Sequence, residues 1–467
     1  MKRYLRSSSV CGAVTADRGA VRPSAVLLLG MLAALTSPSV AAGQEVSGRR
    51  ITMSEAIEEA LRGNAGFRVA RANLEIADAE ARGAAATLWP SLAVDAGFAR
   101  SNDPVFVFGT KLRQGTFSQA DFGLAELNDP APINDWSTGV DVRWELLDPT
   151  RWASRSAAKH RAGAASWSTE RSREETILRT ELLYYGAQGG DAQREAAAAA
   201  ETAARAVRDL FARRHAEGLI TQAELLQAEA QLASAQARHI DADRRAVDAR
   251  QRLGLHLGLD ASELPIPADS LAAAPLGLME GSDPTSRADI LALAEQTAAA
   301  REERKSTSLS YLPSLGAFAG FRTHSAQFAD FDANNWTLGV ALRWTLFDGF
   351  GRSARHQVAS AAEAIAETRY QQALREAEAE VDRAQRGVTS AARALEASRA
   401  SERAAERARQ LMQRRFEEGL ATPSDVLLVE AQAVATRSQA IDALLEYDRA
   451  VAFMRFVRSQ SHQETLP

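Results

Sequence analysis

The side chains that could do chemistry are few and badly placed for it. Seven histidines are scattered and none falls in a His-x-x-x-His pair. No glycine-rich phosphate loop and no Gly-x-Ser-x-Gly elbow occurs. The single cysteine, Cys11, rules out a disulfide scaffold and a Cys-based zinc site. Acids and arginines abound, but on helices they are most often solvated faces. Two acids stand apart. Glu224 and Asp425 lie six residues past Gly218 and Gly419. Each closes a Thr-x-x-acid pattern, Thr221-x-x-Glu224 and Thr422-Pro423-Ser424-Asp425. That is the capping box of a helix start, with Pro423 at the first helical position. The expectation is therefore structural acids, no catalytic residues, no metal site and no cofactor.

The elements that carry these acids are long. Arg151–Glu217 and Phe350–Glu418 contain no proline, and each as one helix spans ~100 Å. Gly218 and Gly419 follow in the position of a left-handed C-terminal cap. Shorter return helices are expected over about Gln222–Gly258 and Ser424–Ser461. An opening helix is expected from Ser54 to Trp89, stopped by Pro90. Leu374, Val381, Val388 and Leu395 recur every seven residues, with Ala377, Ala384 and Ala391 three further on. This is a narrow coiled-coil seam with small partners, so the long helix needs neighbours along its length.

The chain repeats itself. Trp136–Leu146 matches Trp336–Leu346 at an offset of 200, and Leu210–Ala242 matches Leu411–Ala443 at 201. Pro90-Ser91-Leu92 matches Pro313-Ser314-Leu315 at 223. The difference sits in one place: Ser101–Asp135 has 35 residues where His324–Asn335 has 12. The longer piece carries Phe106, Phe108, Phe117 and Phe122 among glycines. It is a loop that either covers or narrows an opening or simply packs its own phenylalanines. The expected plan is a first repeat over 43–258, an irregular linker over 259–285 rich in proline, a second repeat over 286–461 and a tail over 462–467.

Strands are expected at about 91–101, 136–146, 314–323 and 336–346. Trp136, Thr138, Val140, Val142, Trp144 and Leu146 share one face of their strand; Asp141, Arg143 and Glu145 lie on the other. The second half repeats this with Trp336, Leu338, Val340, Leu342, Trp344 and Leu346. Trp136 and Trp144, like Trp336 and Trp344, are eight residues apart. At the tilt of a barrel strand that is roughly 20 Å, near the spacing of the two aromatic girdles of an outer-membrane barrel. Four strands cannot close a barrel, and open edges are not tolerated in lipid. Several chains must then share one barrel.

The chain has 467 residues, 46% apolar and 25% charged, with 55 basic and 60 acidic groups. The mild acidity gives no electrostatic case for nucleic acid. Residues 1–42 run from basic (Lys2, Arg3, Arg6) through apolar Ala25–Leu35 to small Ser39-Val40-Ala41-Ala42. This is the order of a cleaved secretory signal. Removing 1–41 takes the formal charge from −5 to −9. No later apolar run reaches the ~18 residues of a transmembrane helix.

These pieces together resemble the TolC-type outer-membrane efflux proteins. The likeness rests on Ile51-Thr52-Met53-Ser54-Glu55-Ala56-Ile57, the paired Pro-Ser-Leu strand starts, the W-x-x-G-V-x-x-R-W-x-L strands, Leu346-Phe347-Asp348-Gly349 and R-x-x-E-G-L-x-T at both tips. It spans nearly all of residues 50–460. The resemblance implies a mainly α fold with a small membrane β part and a two-fold internal repeat. It implies a homotrimer whose twelve strands form one barrel, continuous with a helical tunnel through the periplasm of a Gram-negative bacterium. Such proteins are passive outer-membrane exit ducts for small molecules or polypeptides, in contact with outer-membrane lipid. They work with a periplasmic adaptor and an inner-membrane transporter. On this likeness Glu224 and Asp425 form an acidic entrance, and Gly218, Leu219, Gly419 and Leu420 form tips that dock the adaptor. Trp136, Trp144, Trp336 and Trp344 are membrane-interface aromatics. Leu428 stands where some members carry a second acid, and Ala421 where the family has an arginine partner, so a tightly locked closed state is not implied. A different class, a periplasmic adaptor or structural coiled-coil protein without a barrel, shares the long hairpins but usually has one hairpin flanked by compact β domains.

Overall fold

Two helices of 68 and 67 residues, α5 (Pro149–Ala216) and α8 (Gly351–Glu417), dominate the architecture. The structure is a computed structural model that describes residues 48–260, 262–275, 284–328, 330 and 333–458. The expected signal, 1–42, and the tail, 462–467, lie outside the described residues.

Before α5 come β1 (Arg50–Ile51), α1 (Met53–Gly63), α2 (Ala65–Ala86), β2 (Ser91–Ser101), α3 (Pro104–Arg113), α4 (Leu124–Asn128) and β3 (Ile133–Leu147). After it come α6 (Gln222–Leu257), β4 (Ile266–Pro267), α7 (Ala288–Leu309), β5 (Ser314–Ser325), β6 (Ala333–Arg343), α8 and α9 (Pro423–Val457).

The opening helix starts at Met53, one residue before Ser54, because Thr52 is its cap. The Glu55 amide donates to Thr52 Oγ1 at 3.3 Å and the Thr52 amide donates to the Glu55 carboxylate at 2.8 Å. Nor is it one helix. The chain breaks at Asn64, whose side chain accepts from the Phe67 amide at 3.1 Å and so starts α2 afresh. The Asn64 amide group also donates to the His256 carbonyl at 2.9 Å on α6, fixing the break to a partner far away in sequence. Helix α2 ends at Ala86, short of Trp89.

Both hairpins turn where glycine takes a left-handed backbone, φ +73° at Gly218 and +77° at Gly419. Helix α5 is the central strut, packed against α6, α7, α2 and α9, while α8 lies on α9 and α7. The heptad seam of α8 is buried at Ala377, Ala384, Val388, Ala391 and Leu395. Gly190 lets α6 approach α5: a Cβ there would sit 3.1 Å from Ala246 Cα. The segment joining the halves is not wholly irregular. Ile266–Pro267 pairs in parallel with Arg50–Ile51, and Tyr184 donates to the Ile51 carbonyl at 3.0 Å.

The larger sheet is antiparallel in the order β2-β3-β5-β6. Three of its strands exceed or fall short of their expected limits. β3 begins at Ile133, β5 extends to Ser325, and β6 stops at Arg343, which leaves Trp344 and Leu346 beyond it.

Candidate functional site

The register sorts the sheet into two unlike faces. Leu92 pairs with Val142, Val142 with Ala319, and Ala319 with Leu338, making one apolar row across four strands. Val94, Val140, Phe321 and Trp336 make the next. Six of these eight side chains are exposed, and Val142 and Ala319 are half-buried; Leu338 retains 72% of its surface. So wide an apolar face cannot rest in water. The opposite face is charged. There Arg322 of β5 donates to Asp95 of β2 at 2.9 Å and to Asp141 of β3 at 3.1 Å. Gly139 leaves the space for it: a Cβ would lie 2.7 Å from Arg322 Nε. Strands β2 and β6 are edges within the chain.

The four tryptophans mark the two ends of the apolar face. Trp136 packs on Phe98 at 4.5 Å and on Phe328 at 5.0 Å between ring centroids. Trp336 is exposed on the outer edge strand. At the helical end the two halves repeat one bond: the Trp144 indole N–H donates to the Leu88 carbonyl and that of Trp344 to the Tyr311 carbonyl, both at 3.0 Å. Each of these two indoles thus keeps an apolar body exposed while its N–H is satisfied on backbone. Trp344 achieves this from just outside its strand.

Sequence reasoning missed the joint between sheet and helices. Asp148 caps α5 and holds Arg151 at 3.0 Å, and Arg151 donates to the Thr87 carbonyl at 2.7 Å. In the second half Asp348 faces Arg352 at 3.6 Å, and Arg352 donates to the Ser310 carbonyl at 3.3 Å. Each pair ties the start of a long helix to the end of the helix before the sheet. The signal was present as an Asp four residues after Trp144 and Trp344 with an Arg about one turn on.

At the far end the expected caps form. The Thr221 and Thr422 amides donate to Glu224 and Asp425 at 2.7 and 3.0 Å, and the two acid amides donate back to the threonine hydroxyls at 3.3 and 3.2 Å. The Thr422 hydroxyl and amide hold the Asp425 carboxyl below its ordinary range. Leu219 and Leu420 remain 59% and 64% exposed beside their glycines. The two tips are joined beneath them. Phe211 stacks on Phe416 at 5.3 Å, Val207, Ala228 and Val426 close the cluster, and Arg214 donates to the Glu417 carbonyl at 2.9 Å. Ala421 packs against this cluster and Leu428 is exposed.

The long insert between β2 and β3 is folded. Phe117 meets Phe108 and Phe122 edge-on at 5.0 and 5.2 Å, so three of its four phenylalanines pack on one another. Among the described residues no group of His, Cys, Asp or Glu could hold a metal ion, and no helix is long and apolar enough to cross a membrane.

The family model for outer membrane efflux proteins matches residues 56–259 and 285–457. No curated protein sequence matches the chain. Among solved structures, the CmeC outer membrane channel of Campylobacter jejuni is similar with a TM-score of 0.77 at 16% identity, over 89% of this chain and 87% of that one. The outer membrane protein VceC of Vibrio cholerae gives 0.73 at 20% identity, over 87% and 95%. A membrane protein of Pseudomonas aeruginosa gives 0.76 at 20%, over 87% and 93%. Likeness at that identity establishes the fold, and the family model establishes the kinship: with both repeats matched, the chain belongs to the outer membrane efflux protein family, whose place is the outer membrane.

Proposed function

We propose that three copies of the chain form one passive exit duct. Each supplies four strands to a shared twelve-stranded barrel and four helical strands to a periplasmic tunnel. The observation that carries this is the sheet with one exposed apolar face, one ion-paired face and two open edges. Lipid satisfies the first, water the second, and only neighbouring copies satisfy the third. The duct does no chemistry of its own and needs no cofactor.

The tips are the docking surface for a periplasmic adaptor, which couples the duct to an inner-membrane transporter. Leu219 and Leu420 are small apolar groups left exposed at equivalent helix turns on a rigid, cross-packed base. Another helical hairpin can nest on them. Replacing both by Asp puts an unpaired charge into that contact. Export by cells carrying the double variant should be abolished while folded oligomers still reach the outer membrane. Normal export would remove the docking role.

A further inference from the structure

We infer that the insert between β2 and β3 is a lid on the outer mouth of the duct, and that its exposed stripe meets the same stripe of the other two copies. The inference rests on the duct reading above.

The insert lies at the end of the sheet remote from the long helices, since β2 leads into it and β3 leads back toward α5. It is built as a unit. Asp103 caps α3 by accepting from the Phe106 amide at 2.8 Å, and the Lys111 ammonium meets the Asp121 carboxylate at 2.6 Å. The three packed phenylalanines fill the space between. A floppy loop would carry none of this.

Its position relative to the sheet decides its role. Helix α3 touches both β3 and β6, strands separated by β5, so it crosses the sheet end rather than extending the β2–β3 hairpin outward. The face it crosses is the charged one. Gln114 at the end of α3 donates to the Asn134 carbonyl at 2.8 Å and to the Asp135 carboxylate at 3.2 Å. Asp135 faces His324 Nδ1 of β5 at 3.0 Å. Asp135 is two and four residues from Ser137 and Gly139, and His324 two from Arg322, all on the channel-facing side. Gln114, Asp135 and His324 are all buried, as are Val107 and Thr110 on the same side of α3.

The other side of α3 is apolar and open at Val105 and Leu112, with Phe108 between them partly covered by Phe117. Val105, Phe108 and Leu112, at helical spacing, retain 81%, 38% and 53% of their surface. Because α3 is laid across the channel-facing side, this stripe looks toward the axis about which the copies are arranged. Lipid lies behind the sheet and cannot reach it. What occupies that place is the equivalent helix of a neighbouring copy, and three such helices close the mouth. Leaving the mouth open would expose the stripe to water.

Purified oligomer in planar bilayers tests this directly. A variant with residues 103–131 replaced by a short glycine turn should conduct several-fold more than the unaltered protein and still migrate as the same oligomer. A milder variant, Gln114→Ala, removes only the contact to Asp135 and Asn134, and should open more often. If the turn variant does not assemble, Gln114→Ala alone decides. A third variant, Leu112→Cys, should cross-link between copies on oxidation and fall silent until reduced. Unchanged conductance and opening in the assembled variants, with no cross-link, would overturn the lid. Failure of the duct reading looks different: neither the unaltered protein nor any variant conducts or fractionates with the outer membrane, and the lid falls with it.

Discussion

Glu224 and Asp425 cap their helices, and we propose a second role at the duct entrance that a single pair of substitutions separates from the first. Both cap a helix, and in a trimer both would place charge around one entrance. The changes Glu224→Gln and Asp425→Asn keep an oxygen able to accept a hydrogen bond at the third helical position. Folding should survive, while cation selectivity and divalent block in planar bilayers should weaken; wild-type selectivity in the double variant would leave the acids as caps. The depressed Asp425 pKa means its cap contributes stability above the unfolded value, lost as pH falls through the lower folded one. Glu181 behaves oppositely. Burial on α5 pushes it up to about 7, with Arg455 at 3.6 Å only partly offsetting this. A raised acid favours the protonated fold, so its contribution is full below the unfolded value and lost as pH rises toward 7. Glu181→Gln should therefore stabilise the folded state at pH 8 by an amount of order 3 kcal/mol, read as a higher melting temperature, and change little at pH 4. Equal shifts at both pH values would contradict this. The caps were legible because their partners lie three residues apart. The environment of Glu181 was not, because α9 and α5 meet there across more than 270 residues of sequence.

At the scale of elements, the strand faces make the sharpest prediction. Arginine at Val140 or Val340, midway between the paired tryptophans of their strands, should cost about 2–4 kcal/mol and impair assembly. The comparison on the charged face is Thr337→Arg, since Gly139 must stay small to admit Arg322. Heat-modifiable migration of extracted protein measures assembly, and equal losses on both faces would refute the alternation. Period-two patterning alone exposed these faces. It could not show that β6 ends at Arg343, because Trp344 continues the pattern while its indole is tied to Tyr311. The break at Asn64 was likewise hidden, being held by His256 on a distant helix. The insert was legible only as a length difference. Its order comes from the local cap of α3 at Asp103, from a short 3-10 turn over Gln119–Phe122 started by Ser118, and from phenylalanines that find one another only after folding.

For the whole molecule, the internal repeat was the most informative feature of the sequence. It announced two equivalent hairpins and two pairs of strands, and matching contacts recur at both: Trp144 with Trp344, Arg151 with Arg352, Thr221 with Thr422. What one chain cannot contain is its own closure. The edges of β2 and β6 and the exposed Leu338, Val340 and Leu342 are unfinished surfaces. In the proposed trimer, lipid and neighbouring copies complete them. The central claim is thus that the functional unit is three chains in a membrane. Sedimentation of the detergent-extracted protein, with bound detergent accounted for, measures this most directly. The account predicts a particle of three chains recovered from the outer membrane; a water-soluble monomer recovered from periplasmic extract without detergent would contradict it.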